Sequence, residues 1–313
     1  MPVVVNRPGP WTHRDLTAGD TRFHVAMAGP ETPPPTDPAQ ANPPLILLVH
    51  GFPECWWAWR HVIEPLARAG YRVAALDLRG FGGSDRPPSG YDLITLAEDL
   101  ERVVPALGHE RAVVVGAGLG GQAAWTLAGI APGLLAGIVP VGAPHPLAVR
   151  SLRGRAFSGT ALQYLSFKVP LLPERSLRTR VGMERLLRSW AGPRTRREVV
   201  ESAGYYASLL ARPGAARSAM EPVRHSVLTR AEIAALAKPV SIPMLSIQGQ
   251  LDPVQPAQAY ARDTHHVAGP LQQVTVHDVG HFPHEEAPGK LTAALLPFLA
   301  QLEIGRASCR ERV

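Results

Sequence analysis

The run Val113-Val114-Val115-Gly116-Ala117-Gly118-Leu119-Gly120-Gly121 has the form of a turn built to present one side chain, and the side chain is missing. A β-branched strand feeding a Gly-x-nucleophile-x-Gly turn and then a helix is a nucleophile elbow. Its sharp backbone needs small neighbours and lifts the central residue above the C-terminal end of a sheet. The central residue here is Gly118, so the usual covalent attack by a Ser or Asp at that point cannot run. Two other residues have the types and order of a working pair. Asp252 stands in Gly249-Gln250-Leu251-Asp252-Pro253, and His281 in Gly280-His281-Phe282-Pro283-His284-Glu285-Glu286. An acid that precedes a histidine, both after the elbow, can fix the imidazole tautomer and stabilise the imidazolium, leaving the histidine as general base. Asp-Pro is also an ordinary turn, and a loop histidine can serve structure alone. The order of the three positions favours the dyad.

Two further segments complete the pattern. His50-Gly51-Phe52-Pro53-Glu54 follows the apolar run Leu45 to Val49, and Asp77-Leu78-Arg79-Gly80-Phe81-Gly82-Gly83-Ser84-Asp85 follows Tyr71 to Leu76. With these five motifs in order, the chain resembles the α/β-hydrolase superfamily from about Trp11 to Leu302, specifically its epoxide hydrolase and haloalkane dehalogenase-like branch. The resemblance implies an α/β-hydrolase fold: a mostly parallel eight-stranded sheet covered by helices on both faces, with an inserted helical cap. It also implies an oxyanion hole made by the backbone N–H groups of Phe52 and Leu119, donors that survive loss of the nucleophile because they belong to the main chain. His50 and Trp56 are placed with the substrate pocket. The glycines between Asp77 and Asp85 are read as structural, permitting a tight turn.

The cap carries a second departure. In the epoxide hydrolases two cap tyrosines donate hydrogen bonds to the epoxide oxygen. By resemblance the first position falls on Gln163, with Tyr164 adjacent, and the second on Val223. The dehalogenases hold halide with a tryptophan after the nucleophile, where this chain has Leu119. Epoxide opening and dehalogenation both lack their electrophilic partners.

The elements that must position these residues follow from hydrophobic period. Trp11 to Ala28 reads as a hairpin turning at Thr17-Ala18-Gly19-Asp20, and Gly29 to Pro44 as a Pro-rich surface loop. Continuous apolar strands at Leu45 to His50, Tyr71 to Leu78, Ala112 to Gly116 and Ala136 to Val141 alternate with helical stretches, which implies a parallel sheet buried on both faces. The clearest helix is Leu93 to Leu107, with Leu96, Leu100, Val103, Val104 and Leu107 on one stripe. From Leu147 to Pro239 the sequence is rich in Arg, Leu and Ala without a strand-like run, before strands resume at Ile242 to Gln248 and Gln273 to Val276. The domain reading is therefore a core of 1–146 and 240–303 with a helical cap at 147–239.

Residues 304–313 are set apart. They follow an expected helix end, are neither periodic nor apolar, and back-translate into a stretch similar to a sequencing adapter, so they are read as non-native. Without them the net charge falls from +6 to +4, since they hold three Arg and one Glu, and Cys55 is the only remaining cysteine. One cysteine makes no intramolecular disulfide, in keeping with a reducing compartment, and Cys55 is read as a packed thiol.

The basic charge is carried almost wholly by scattered Arg, the only lysines being Lys168, Lys238 and Lys290, so a solvated surface is preferred to a nucleic-acid partner. The apolar runs are too short for a bilayer and the start lacks a secretory h-region, which points to the cytoplasm and to no membrane partner. No metal-ligand spacing and no phosphate loop is evident, so no cofactor is expected. The oligomeric state is left open. Three readings of Gly118 remain. A single base separates a Gly codon such as GGC from Asp (GAC) or Ser (AGC), so it can be a sequence error or an inactivating change. It can belong to an enzyme that works without a covalent step, in which Asp252 and His281 act on a small apolar substrate held by the Phe52 and Leu119 N–H groups. It can belong to a non-catalytic binder of such a molecule. Retention of Asp252 and His281 favours the enzyme.

Overall fold

The β-branched runs of the sequence become the middle of one sheet. The computed structural model describes residues 5–31, 44–150, 165–224 and 227–310. Strands β1 (Thr12–Ala18) and β2 (Thr21–Ala28) form the expected hairpin. They are followed by β3 (Leu45–Val49), β4 (Val73–Leu76), β5 (Ala112–Ala117), β6 (Leu135–Val141), β7 (Met244–Gly249) and β8 (Leu271–Val276). The sheet order is β1-β2-β4-β3-β5-β6-β7-β8. β2 runs antiparallel to β1 and β4, and the pairings from β4 to β8 are parallel. Every residue of β3, β4, β5 and β6 is buried, as central strands covered on both faces require. The edge strands β1 and β8 carry exposed residues instead.

The order decides where a site can form. From β3 the chain moves to β4 on one side, then returns to β5 on the other. Strand order thus reverses between β3 and β5, and in open α/β sheets the crevice beyond the carboxyl ends at such a point is where ligands bind. Gly51 and Gly118 follow those two ends.

Helices α1 (Arg60–Arg68), α2 (Leu93–Ala106) and α3 (Leu119–Ile130) follow β3, β4 and β5. In α2 the predicted stripe Leu96, Leu100, Val103 and Val104 is buried, and the Asp92 side chain caps the helix by accepting from the Thr95 N–H. Between β6 and β7 the described residues form helices and no strand: α4 (Pro146–Arg150), α5 (Leu172–Leu177), α6 (Arg180–Trp190), α7 (Arg196–Val200), α8 (Ala203–Leu210), α9 (Ala215–Arg224) and α10 (Arg230–Leu236). The core resumes with α11 (Ala257–Ala261), α12 (Pro283–Glu286) and α13 (Pro288–Arg310). α13 does not stop at Glu303 as expected but runs to Arg310. The added residues include Ala, Arg and only one Gly, with no Pro to stop the helix. Among the described residues no helix is long and apolar enough to cross a membrane.

Candidate active site

Asp252 lies in the turn after β7. Its Oδ1 accepts the backbone N–H of Val254 at 2.8 Å and of Gln255 at 3.0 Å, so the side chain holds the local turn. Its Oδ2 pairs with His281 Nδ1 at 2.9 Å and accepts the Tyr260 hydroxyl at 3.4 Å. A carboxylate can only accept, so Nδ1 carries the proton and Nε2 offers its lone pair. That lone pair faces the elbow. A Cβ built on Gly118 would stand 3.5 Å from His281 Nε2 and 3.7 Å from Gly51 Cα, with no other neighbour within 4 Å. The surrounding glycines are different: a Cβ on Gly116 would come within 2.4 Å of the Gly120 backbone, and one on Gly120 within 2.5 Å of Val49 O. Close backbone approach fixes those two as glycine. At Gly118 there is room, and only its φ of +47° resists a side chain.

The loop after β3 packs against this turn. Phe52 is buried, and Leu119 is the first residue of α3, where a backbone N–H has no intrahelical acceptor. Beneath the loop, Glu54 Oε2 accepts the Gly51 N–H at 3.1 Å while Oε1 pairs with His284 Nε2 at 2.9 Å. Burial pushes the Glu54 carboxyl upward, but the charge and hydrogen bond of His284, with His50 and the Gly51 N–H, outweigh it and leave the pKa lowered.

Two residues expected in the pocket are elsewhere. His50 is fully buried, its Nε2 accepts the Leu78 N–H at 3.1 Å, and its Nδ1 donates to Gly51 O at 2.8 Å. Both ring nitrogens are used within the protein, so His50 braces two strand ends and has nothing left for substrate. Burial lowers its pKa, in keeping with a neutral ring. Trp56 is also fully buried. Its backbone N–H donates to Asp77 Oδ1 at 2.8 Å and its indole to Val5 O at 3.2 Å. Asp77 also pairs with His24 Nδ1 and accepts the Gly83 N–H, both at 2.8 Å, which makes the segment after β4 a buried polar brace. Gln163 and Tyr164 lie outside the described residues. Val223, near the end of α9, is partly buried and packs against the apolar core. Cys55 is buried, and burial pushes its thiol well above its ordinary pKa.

Residues that the motifs did not point to complete the surroundings. The last residue of α6, Trp190, accepts the His281 N–H on its carbonyl at 2.9 Å, and its ring stands edge-on to the imidazole at 5.5 Å. Phe52 and Phe167 lie 6.2 and 6.4 Å from the same indole, so aromatic rings from core and insertion meet beside the histidine. Glu286 ties the two parts together. Its Oε2 accepts the N–H groups of Gly192 at 2.8 Å and Gly280 at 2.9 Å and the Thr195 hydroxyl at 2.5 Å, while Oε1 accepts the Phe282 N–H at 3.0 Å. Glu285 accepts from Arg60 at 2.6 Å and from the Tyr206 hydroxyl at 2.7 Å, and burial raises its carboxyl to about 7 against the pull of Arg60. The sequence signal for Trp190 was a tryptophan closing the amphipathic stretch Arg180 to Trp190. For Glu286 it was a carboxylate five residues after the histidine.

Burial opposes the charged form of His281, but the Asp252 carboxylate, its hydrogen bond, and the more distant Glu54 and Glu286 leave the pKa raised above 6.5. The arrangement is an oriented imidazole base with apolar walls, facing a side-chain-sized space beside a helix N-terminus.

A profile of the alpha/beta hydrolase fold matches residues 44–288. Epoxide hydrolase A of Mycobacterium tuberculosis is 29% identical, covering 94% of this chain and 98% of its own length. Epoxide hydrolase 3 of Xenopus tropicalis is 29% identical over 90% of this chain and 75% of that protein. Among solved structures, the crystal structure of Epoxide Hydrolase A from Mycobacterium thermoresistibile aligns with a TM-score of 0.74 at 26% identity, covering 93% of this chain and 98% of that one.

Proposed function

The chain belongs to the α/β hydrolase fold family, with epoxide hydrolases among its relatives, and from that premise we propose hydrolase-type general-base chemistry on a small apolar substrate without a covalent intermediate. Gly118 stands at the nucleophile position in this reading, and Gln163 and Val223 stand where the resembled enzymes keep their cap tyrosines. The observation that carries the reading is the aim of His281: its free Nε2 points at the place a nucleophile would occupy, 3.5 Å from a Cβ on Gly118. A water in that space would give its proton to Nε2 as its oxygen attacks an activated carbonyl. The Phe52 and Leu119 N–H groups would hold the developing oxyanion, and the imidazolium would return the proton to the leaving group. Without a nucleophile the expected acceleration is modest, ~10³–10⁴ over water, enough for activated esters and not for amides.

The test is hydrolysis of p-nitrophenyl acetate. The protein should exceed background, with a rate that rises with pH through a titration above 6.5, because only the neutral ring accepts a proton and the raised pKa moves that form to higher pH. His281→Ala should abolish the rate, Asp252→Asn should reduce it, and mass spectrometry should find no acyl-enzyme. The aromatic wall of Phe52, Phe167 and Trp190 favours a second reading, a binder of small apolar molecules. It predicts background rates in all three proteins, with melting temperature still raised by such ligands.

A further inference from the structure

Three half-buried arginines gather where the segment before β1, the core and the insertion meet. Arg86 stands in the loop after β4, and Arg212 between α8 and α9. Both donate to one main-chain oxygen, Gly82 O, Arg212 from Nη1 at 2.7 Å and Arg86 from Nη2 at 3.4 Å. That carbonyl is fixed in place, because Gly82 has a φ of +47° and a Cβ on it would collide with the Asp77 carboxylate. Two cations thus share one neutral acceptor, and the Arg86 Nε–H is buried with no partner among the described residues. The third cation, Arg7, lies over the Trp57 and Tyr205 rings, 3.9 and 4.7 Å from their centroids. Burial raises the Tyr205 pKa, while Arg7 and Arg212 both draw it back down, so the two charges reach one phenol.

The acids nearby are engaged elsewhere. Asp15 and Asp85 both pair with Arg22, each at 3.0 Å, and Asp77 holds His24 Nδ1 and the Trp56 and Gly83 N–H groups. Among the described residues no ion pair reaches Arg7, Arg86 or Arg212. Burial, then the charge of Arg212, holds the Arg86 guanidinium below its ordinary pKa, as crowded cations without a counter-ion require. We propose that this junction binds a phosphate dianion, free or borne by a small phosphomonoester, held between Arg86 and Arg212 with Arg7 adding to the attraction. A guanidinium fork matches phosphate oxygens two at a time, and a tetrahedral dianion can face two forks at once. Arg86 belongs to the core and Arg212 to the insertion, so the bound anion bridges the two parts and replaces repulsion across their junction by attraction. The proposal is independent of the hydrolase reading: it uses neither Asp252 nor His281, and its test reads binding, not turnover.

Inorganic phosphate is the probe, compared with sodium chloride at equal ionic strength and read by isothermal titration calorimetry and by melting temperature. Phosphate should give one saturable site and a saturable rise in melting temperature that chloride does not. Methyl phosphate in the same titration distinguishes the sources: tighter binding than phosphate marks a phosphomonoester site, weaker binding a site for the free ion. Arg86→Gln and Arg212→Gln each remove one charge and keep a polar side chain. Each should weaken phosphate binding by about tenfold or more, the loss of one hydrogen bond to a charged group. Arg212→Lys keeps the charge without the fork and should fall between Arg212→Gln and the parent. Equal responses of the parent to phosphate and chloride, a comparison that needs no variant, would overturn the proposal. So would phosphate binding that persists undiminished in both Gln variants.

Discussion

Two histidines of this site look alike in sequence, each opening a His- or Gly-His motif beside a strand end, and their chemistry differs by one hydrogen bond. His50 has both ring nitrogens satisfied by main chain, whereas His281 has only Nδ1 satisfied and keeps Nε2 for the elbow. The motif carried the order of Asp252 and His281, whose side chains meet at 2.9 Å. It did not carry the partners of His50, because those depend on the Leu78 backbone, which is adjacent only once β3 and β4 pair. Gly118 is the residue at which the alignment of the site can be read out. Gly118→Ser has room for its Cβ but must adopt a φ near +47°, so it should lower stability by about 1–3 kcal/mol. With the hydroxyl beside Nε2 it should gain burst kinetics on p-nitrophenyl butyrate and a covalent acyl adduct at 118 in the intact mass. A folded variant without that adduct would show that base, oxyanion donors and elbow are not in register for acyl transfer.

At the scale of elements, the approach of α6 to the loop after β8 is what encloses His281. The strands were legible because their apolar runs are continuous, and α2 because its stripe repeats at helical spacing. The insertion was legible only as a stretch without strands, since nothing local says that Trp190 will reach His281, 91 positions on, or that Glu286 will reach Gly192, 94 positions back. Glu286 is the element-scale test because it accepts three backbone N–H groups and one hydroxyl, from both sides of the junction. Glu286→Gln keeps the shape but turns one acceptor oxygen into a donor facing donors. With the amide oxygen in the Oε2 place, only the Phe282 N–H loses its acceptor, so the change should cost ~1–3 kcal/mol, the penalty of one buried unpaired N–H. Denaturant melts with an unchanged m-value would measure this, and ester hydrolysis should fall as the Trp190 wall loosens. A loss under about 0.5 kcal/mol, the range of ordinary surface changes, would mean the carboxylate does not hold the junction.

Across the whole molecule, the chain leaves the core after β6 and re-enters it at β7, and one carboxylate lies between the two passages. Asp263 Oδ1 accepts the His145 N–H at 2.8 Å just before α4, and Oδ2 accepts the Ser246 hydroxyl at 3.1 Å within β7. The sequence placed the strand ends but not this tie, because Asp263 sits in a short turn with no motif of its own. It is fully buried, and burial raises its carboxyl to about 7 despite those two donors. The His145 ring stacks on His266 at 3.8 Å, and burial, then the charge of His266, depress its pKa to about 3. The two groups act on stability with opposite signs. A carboxyl raised from an unfolded value of about 3.9 contributes stability that is complete below that value and lost as pH rises through about 7, at most ~4 kcal/mol. A histidine depressed from about 6.5 contributes stability that is present above that value and lost as pH falls toward about 3. Asp263→Asn separates them, because its amide copies the protonated acid: the carbonyl accepts from His145 and the NH₂ donates to Ser246 Oγ. The variant keeps the His145 dependence and loses the Asp263 one. Its melting temperature relative to the parent should therefore climb from pH 5 to about pH 7 and then level off, the variant gaining as the parent is forced to bury a charge. Parallel pH profiles for the two proteins would show that Asp263 titrates at an ordinary value and that the two passages are not joined through a neutral acid.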